Sequence, residues 1–412
     1  MTKLCNHALL QDPAAQRVLL ALDSVQSGCA RLVGGCVRDA VLGRHAHDVD
    51  IATQLEPQAV IGALQAAGIK TVPTGLAHGT ITAIVNSRPV EVTTLRRDVA
   101  TDGRHAEVAF TTDWHQDASR RDFTMNALYC DMDGTLFDPT GTGIEDARAG
   151  RVRFVGDPDL RVREDYLRIL RFFRFHAWYG KGPPDENGQN ACARHLNGMA
   201  TLSAERVWME LKRLFGAPDP RSVLVAMIET GVLAAILPEA MGVEALQQTR
   251  GDEQCVMIDL DPMQRLMVLL PRNPAQIAAF IARLKLSNAE GERLLAWAKD
   301  QTMIQFDFSD REVRQTLYWL GKQLFLDRIF LAWAHDFEVS HSDHWRAMIA
   351  LAREFVVPRF PVTGQDVLNA GARPDPRIGH ILGALERWWV EHDFINDDAA
   401  LQTKLASLVN QA

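Results

Sequence analysis

The sequence predicts an α+β protein, a mixed α/β head followed by an all-helical neck, body and tail. Segments rich in β-branched residues with strand periodicity cluster between residues 30 and 95. From Asp157 onward strand signals nearly vanish, and apolar residues recur at i, i+3 and i+4 instead. The run GKGPPDENGQ at 180–189 is a strong helix break that separates successive helical patterns. On this pattern the head spans 1–150, the neck 151–240, and the body and tail 241–412.

In order, the head begins with a helix over 13–27 and a short buried strand over 30–33. Gly34-Gly35 opens a helix that runs to Val41 and is closed by Gly43. A second strand follows over 48–52, then a helix over 58–67. Strands are expected over 69–72, 79–85 and 89–95, with Asn86-Ser87-Arg88 as a hairpin turn. The polar, Gly-containing stretch 98–107 is expected to be a mobile loop with Gly103 as hinge. Helices are then expected over 160–178, 203–215, 221–233, 274–286, 288–301, 311–320, 344–354 and 378–391.

At 412 residues, 47% apolar and 23% charged, the composition is that of a globular protein with a large core. No uninterrupted apolar run approaches the length of a membrane span, and the most apolar region is broken by Glu229 and Glu239. The N-terminal residues carry no long hydrophobic segment, and the six cysteines are scattered without a C-x-x-C pair. Reduced thiols in the cytoplasm are therefore expected, with no disulfide framework and no zinc site. The net charge of −8 disfavours nucleic-acid binding only on average. Between Arg148 and Arg174 eight arginines face four carboxylates, so a basic groove in an acidic protein is available.

The stretch LVGGCVRDAVLGRHAHDVDIAT, 32–53, carries the first candidate chemistry. It lacks the G-x-x-x-x-G-K-[ST] of a P-loop and the full G-x-G-x-x-G of a dinucleotide fold. Asp48 and Asp50, two residues apart on a strand, would present carboxylates on one face. Like charges so close resist ionisation unless a cation lies between them. Oxygen ligands suit Mg²⁺, which substrate phosphates usually complete, and two such ions serve an in-line nucleotidyl transfer. A lone D-x-D is more commonly a solvated turn, and His45 and His47 more commonly decorate such a loop than bind zinc. The Gly34-Gly35 helix start changes the balance, because its N–H groups can meet a phosphate and Arg38 follows one turn later. Glu91 is a third acid if its strand lies beside Asp50, and otherwise an exposed edge carboxylate.

A second constellation, RRDFTMNAL at 120–128, sets charge against apolar Phe123, Met125 and Leu128. Further on, VREDYLRILRFFRF places Asp165, Arg168, Arg171 and Arg174 at intervals of three, adjacent along one side of a helix. Alone, this would be a basic amphipathic helix with a solvated face.

Taken together, LVGGCVRDAVLG with DVD, VEVTTLRR, DGRHAEVAF, RRDFTMNALY, VREDYLRILRFFRF and SAERVWMELKRL resemble the class II tRNA nucleotidyltransferase and bacterial poly(A) polymerase family. The resemblance runs from about Ala30 to about Arg213. It implies a polymerase-β-like nucleotidyltransferase head, a helical neck that recognises the nucleotide base, and a body and tail that bind tRNA. It also implies Mg²⁺ held by Asp48 and Asp50, while Glu91 stays the candidate third catalytic acid on the condition already stated. By the same resemblance Gly35, Arg38, Arg121, Asp165, Arg168, Arg171 and Arg174 bind the incoming nucleotide. The expected activity is template-independent addition of C, C and A to the tRNA 3′ end from CTP and ATP. Neither a membrane nor an obligate protein partner is expected. A poly(A) polymerase of the same family remains an alternative, as does a catalytically inactive RNA-binding protein on this scaffold. The 102–105 segment resembles the flexible loop of enzymes that add the terminal A, which counts against a CC-only enzyme.

The expected base choice has a physical basis. Cytosine and adenine each present an amino donor beside a ring-nitrogen acceptor, which a carboxylate and a guanidinium complement. Uracil and guanine present a carbonyl beside an N–H, so the same Asp165 and Arg168 would face like against like.

Overall fold

A computed structural model describes residues 2–4, 7–46, 48–102, 105–241, 261–336, 338–395 and 397–411. They form two compact units, Met1–Ala240 and Met241–Ala412.

The first unit is built on a seven-stranded sheet. In chain order its elements begin α1 (Pro13–Asp23), β1 (Ala30–Val33), α2 (Gly35–Val41), β2 (Asp50–Thr53), α3 (Pro57–Ala66) and β3 (Lys70–Gly75). They continue with β4 (Thr80–Val85), β5 (Arg88–Thr94), β6 (Arg96–Asp102), β7 (His105–Phe110), α4 (Trp114–Ser119), β8 (Tyr129–Cys130), β9 (Leu136–Phe137) and α5 (Gly143–Ala149). The sheet order is β3-β4-β5-β2-β1-β8-β9. β2 lies antiparallel to β1 and parallel to β5, the arrangement that brings residues distant in sequence to one end of the sheet.

Local chemistry accounts for the boundaries. Asp12 accepts from the N–H groups of Ala14 and Ala15 while Pro13 takes the first helical position, which starts α1. Asn86 and Ser87, at φ 50° and 64°, form the tight turn between β4 and β5. Two expectations for the head are corrected. The strand expected over 48–52 begins at Asp50, and Asp48 lies on an exposed bend before it. The loop expected over 98–107 is instead largely the antiparallel hairpin β6–β7. Gly103 and Arg104 lie outside the described residues, as does His47.

The helices that follow are α6 (Pro158–Glu164), α7 (Leu167–Tyr179), α8 (Glu186–Arg194), α9 (Ala204–Phe215), α10 (Arg221–Glu229) and α11 (Val232–Ile236). The single helix expected over 160–178 is two. Asp165 adopts an extended backbone (φ −154°, ψ 106°) and its carboxylate accepts from the N–H of Leu167 at 3.1 Å, ending α6 and starting α7. Gly231, in the left-handed region at φ 76°, likewise divides the helix expected over 221–233. Phe123 of the head packs against Phe154 and Phe175, with ring centroids at 5.1 and 5.0 Å, fixing the sheet against α7.

In the second unit every described element is helical. Capping boxes at Asp261/Gln264, Ser287/Glu290 and Ser309/Glu312 start Pro262–Leu269, Asn288–Lys299 and Asp310–Leu320. The helix Lys322–Ala334, not expected from periodicity, buries Phe325, Asp327, Ile329, Phe330, Leu331, Trp333 and Ala334. A helix enclosed on most sides shows no amphipathic stripe. The buried Asp327 is compensated there by Arg293 and Gln264. No helix among the described residues is long and apolar enough to cross a membrane.

Candidate active site

Asp50 and Glu91 lie in register where β2 begins, with Asp48 on the bend before it, and Gly34 and Gly35 follow the end of the neighbouring β1, with Arg121 beside Gly34. Gly34 takes φ 75°, so the chain can turn directly from β1 into α2. A Cβ there would sit 3.3 Å from Nη1 of Arg121, the far end of a flexible side chain, so it is the positive φ that calls for glycine. α2, of seven residues, is only about two turns long.

Asp50, the first residue of β2, is in register with Glu91 on the parallel strand β5. That places the two carboxylates side by side and realises the condition set for Glu91. Burial raises the Asp50 pKa first, the Glu91 and Asp48 charges raise it further, and Arg121 opposes them; the result is pushed up to about 6. Among the described residues no three His, Cys, Asp or Glu side chains already converge at metal-binding distance. The donors at this end of the sheet are nonetheless of one kind, carboxylate oxygens that repel one another, and they fit Mg²⁺. The neighbouring Cys36 thiol is pushed up to about 11 by burial and is bonded to backbone carbonyls, so it offers no soft ligand.

Arg38 is 6% exposed and its donors meet protein acceptors. Nη1 donates to Asn126 Oδ1 at 2.7 Å, Nη2 to the Tyr179 hydroxyl at 2.6 Å, and Nε to Asp39 at 3.0 Å. Its guanidinium stacks 3.9 Å from the Tyr179 ring centroid. Arg38 thus ties α2 to the 120–128 segment and to the end of α7, and a phosphate would have to displace one of these partners.

The segment Arg120–Asp122 is the seam between the sheet and the helices. The Arg121 side chain donates to Asp117 and places Nη1 beside Gly34, whereas its carbonyl accepts from Arg161 Nη2 on α6 at 2.7 Å. Asp122, 9% exposed, accepts from Arg171 Nε at 3.0 Å and from Asn126 Nδ2 at 3.0 Å. Burial would raise the Asp122 pKa, but Arg171 and these hydrogen bonds hold it at about 2.

The remaining sites expected on the 160–178 helix are brought to one region but paired differently. Asp165 accepts from Arg206 Nη2 of α9 at 2.6 Å. Arg168 turns away from it, donating to the carbonyl of Arg161 at 2.8 Å and to Glu164. Arg174 donates through Nε to Glu210 of α9 at 2.6 Å, and Arg171 Nη1 lies 3.9 Å from the same residue. Four residues that organise the site were not singled out from sequence: Asp117, Asp122, Arg206 and Glu210. Asp117 and Glu210 are 1% and 4% exposed, and only helical spacing beside arginines hinted at them. Arg206 and Glu210, four apart on α9, face the same side of α7.

Comparison with known proteins agrees with this arrangement. Residues 30–153 match the family described as Poly A polymerase head domain. Residues 184–242 match the family described as probable RNA and SrmB-binding site of polymerase A. The mitochondrial CCA tRNA nucleotidyltransferase 1 of Danio rerio is 34% identical over 398 residues, covering 90% of this chain and 86% of that protein. The CCA-adding enzyme of Levilactobacillus brevis is 30% identical, covering 90% and 92%. The crystal structure of the Bacillus stearothermophilus CCA-adding enzyme in complex with CTP superposes with a TM-score of 0.75 at 25% identity, over 98% of this chain and 100% of that one. The chain therefore belongs to the family of CCA tRNA nucleotidyltransferases and CCA-adding enzymes, which carries the poly(A) polymerase head.

Proposed function

We propose that this protein adds C, C and A to the 3′ end of tRNA, taking CTP and ATP as substrates and using no nucleic-acid template. Kinship over nearly the whole chain supports the reaction. The observation that carries the site is the parallel register of Asp50 with Glu91, below a glycine turn that Arg121 overhangs.

In this reading Asp48 and Asp50 hold Mg²⁺, with Glu91 as the third acid. Metal bound there would favour the nucleophilic form of the RNA 3′ hydroxyl and neutralise charge growing on the phosphates. Gly35 offers its N–H and Arg121 its guanidinium to the triphosphate, and Arg38 stiffens the turn that presents them. Asp165 and Arg168 read the Watson–Crick edge, with Asp165 exchanging Arg206 for the amino group of C or A. Arg171 and Arg174, clamped by Asp122 and Glu210, position the helix that carries them. The head, neck, and body with tail correspond to 1–150, 151–240 and 241–412, with the last contacting tRNA. The buried, unpaired Cys29, Cys36, Cys130 and Cys192 suit a reducing compartment, and we place the protein in the cytoplasm. Imaging a tagged chain tests this placement against the mitochondrial location named for the zebrafish relative.

The deciding experiment incubates the protein with tRNA lacking its 3′ end and each labelled nucleotide, singly and together. Addition of two C and one A is expected. Long A tails would establish a poly(A) polymerase instead, and no addition by folded protein would leave an RNA-binding scaffold.

A further inference from the structure

Asp117, on α4, receives hydrogen bonds from several directions. Arg120 Nε reaches its Oδ1 at 2.8 Å, and the backbone N–H of Arg96, where β6 begins, donates to the same oxygen at 3.3 Å. On Oδ2, Arg121 donates through Nη2 at 3.0 Å and Nε at 3.3 Å, and the Tyr129 hydroxyl donates at 2.7 Å. Burial alone would raise the Asp117 pKa, but Arg121 and Arg120 hold it at about 2, so the carboxylate stays charged.

Arg121 consequently has acids on two elements near it. Asp117 is its ion-pair partner, while its Nη1 lies beside Gly34 at the end of β1, whose neighbour β2 carries Asp50 in register with Glu91. Among the ion pairs of the described residues, Arg121 is joined to Asp117 and to neither Asp50 nor Glu91. A guanidinium released from Asp117 would be drawn onto the Asp50–Glu91 pair, whose negative charges repel each other, and would take a cation's place. The Asp117 contacts use Nε and Nη2, which leaves Nη1 beside Gly34.

We propose that Asp117 is a positioning residue that holds Arg121 back from the Asp50–Glu91 pair, keeping those carboxylates open to a divalent cation and Arg121 Nη1 over the Gly34–Gly35 turn. This rests on the metal and phosphate roles given under the proposed function. The inference concerns competition between a cation and the protein's own guanidinium, so it can be measured without substrate.

The test is Mn²⁺ binding to the full chain, followed by electron paramagnetic resonance without nucleotide. Asp117→Asn keeps the side-chain shape and removes the charge, and should weaken Mn²⁺ binding by about 10- to 100-fold. Adding Arg121→Ala to that variant should restore most of the loss, because the competing guanidinium is gone. Unchanged binding in Asp117→Asn, or a double variant as weak as the single, would overturn the proposal. Should Asp117→Asn fail to fold by circular dichroism, Asp117→Ser takes its place in the same pair of measurements: weaker Mn²⁺ binding that Arg121→Ala restores supports the proposal, and unchanged binding or no restoration overturns it. Asp50→Asn is the control for the underlying reading. If it leaves Mn²⁺ binding untouched, the carboxylates are not the metal site, an outcome separate from failure of the Asp117 role.

Discussion

At the end of the sheet, burial and Glu91 push the half-buried Asp50 up to about 6, whereas in the seam with the helices Arg171 holds the buried Asp122 at about 2. Both are aspartates of the same unit, and both are penalised by burial. Their neighbours make the difference. Asp50 faces carboxylates and an arginine already paired elsewhere, whereas Asp122 has a guanidinium and an amide to itself. The α7–α9 face continues the second pattern, with Asp165 paired to Arg206 and Glu210 to Arg174. Charges left in conflict suit a region completed by a cation and a triphosphate. Charges paired across elements suit a frame that sets where helices lie.

The largest expected effect breaks the first region. Asp50→Asn should lower nucleotide addition by more than about 10³-fold in single-turnover assays, because on the proposed reading it removes a charged metal ligand. Folding should respond the other way. The folded-state pKa of Asp50 is raised, so the folded protein holds the proton more readily than the unfolded chain does. Without divalent cation, the Asp50 contribution to stability therefore falls as pH rises from about 4 to about 6 and stays low above that. Thermal unfolding in chelator across this range should show the fall in the wild type and lose that part in Asp50→Asn.

Breaking the second region should cost stability first. Asp122→Ala strands Arg171 in the seam and should destabilise the protein by about 3 kcal/mol, read from denaturant unfolding. Here the sign is reversed. The depressed pKa means that Asp122 contributes stability above about pH 4, and the contribution is lost as pH falls toward 2. A variant as stable as the wild type would show that the pair is incidental.

Asp165→Ala sharpens the comparison, because its carboxylate belongs to the paired region yet is assigned a substrate. Discrimination against UTP and GTP should erode by roughly 10- to 100-fold, while triphosphate affinity changes little. A uniform loss for all four nucleotides would return Asp165 to a purely structural role. The smallest effect is expected at the β6–β7 hairpin. Arg104→Ala, or a shortened turn, should slow only the terminal A, measured by resolving the C and A additions on a gel. Equal slowing of C and A would assign the hairpin a general role in binding or folding.

The sequence determined much of the head by itself. Gly34-Gly35 after an apolar strand, Asn86-Ser87 between strands and Asp12-Pro13 before a helix are local signals whose backbone demands are met within a few residues. They placed the sheet, the glycine turn and the acids near it. What only tertiary structure decided is which charge meets which. Asp165 and Arg168 are three apart, but the chain breaks at Asp165, so one turns to Arg206 and the other to Glu164. Glu91 and Asp50 are separated by forty-one positions and meet only because β2 and β5 run parallel in register. The helix Lys322–Ala334 escaped notice for a related reason, since apolar residues on most of its faces erase the period that marks a surface helix. Local conformation is set by a residue's neighbours in sequence. The ionisation of a carboxylate is set by neighbours in space, and in this protein those come from other strands and helices.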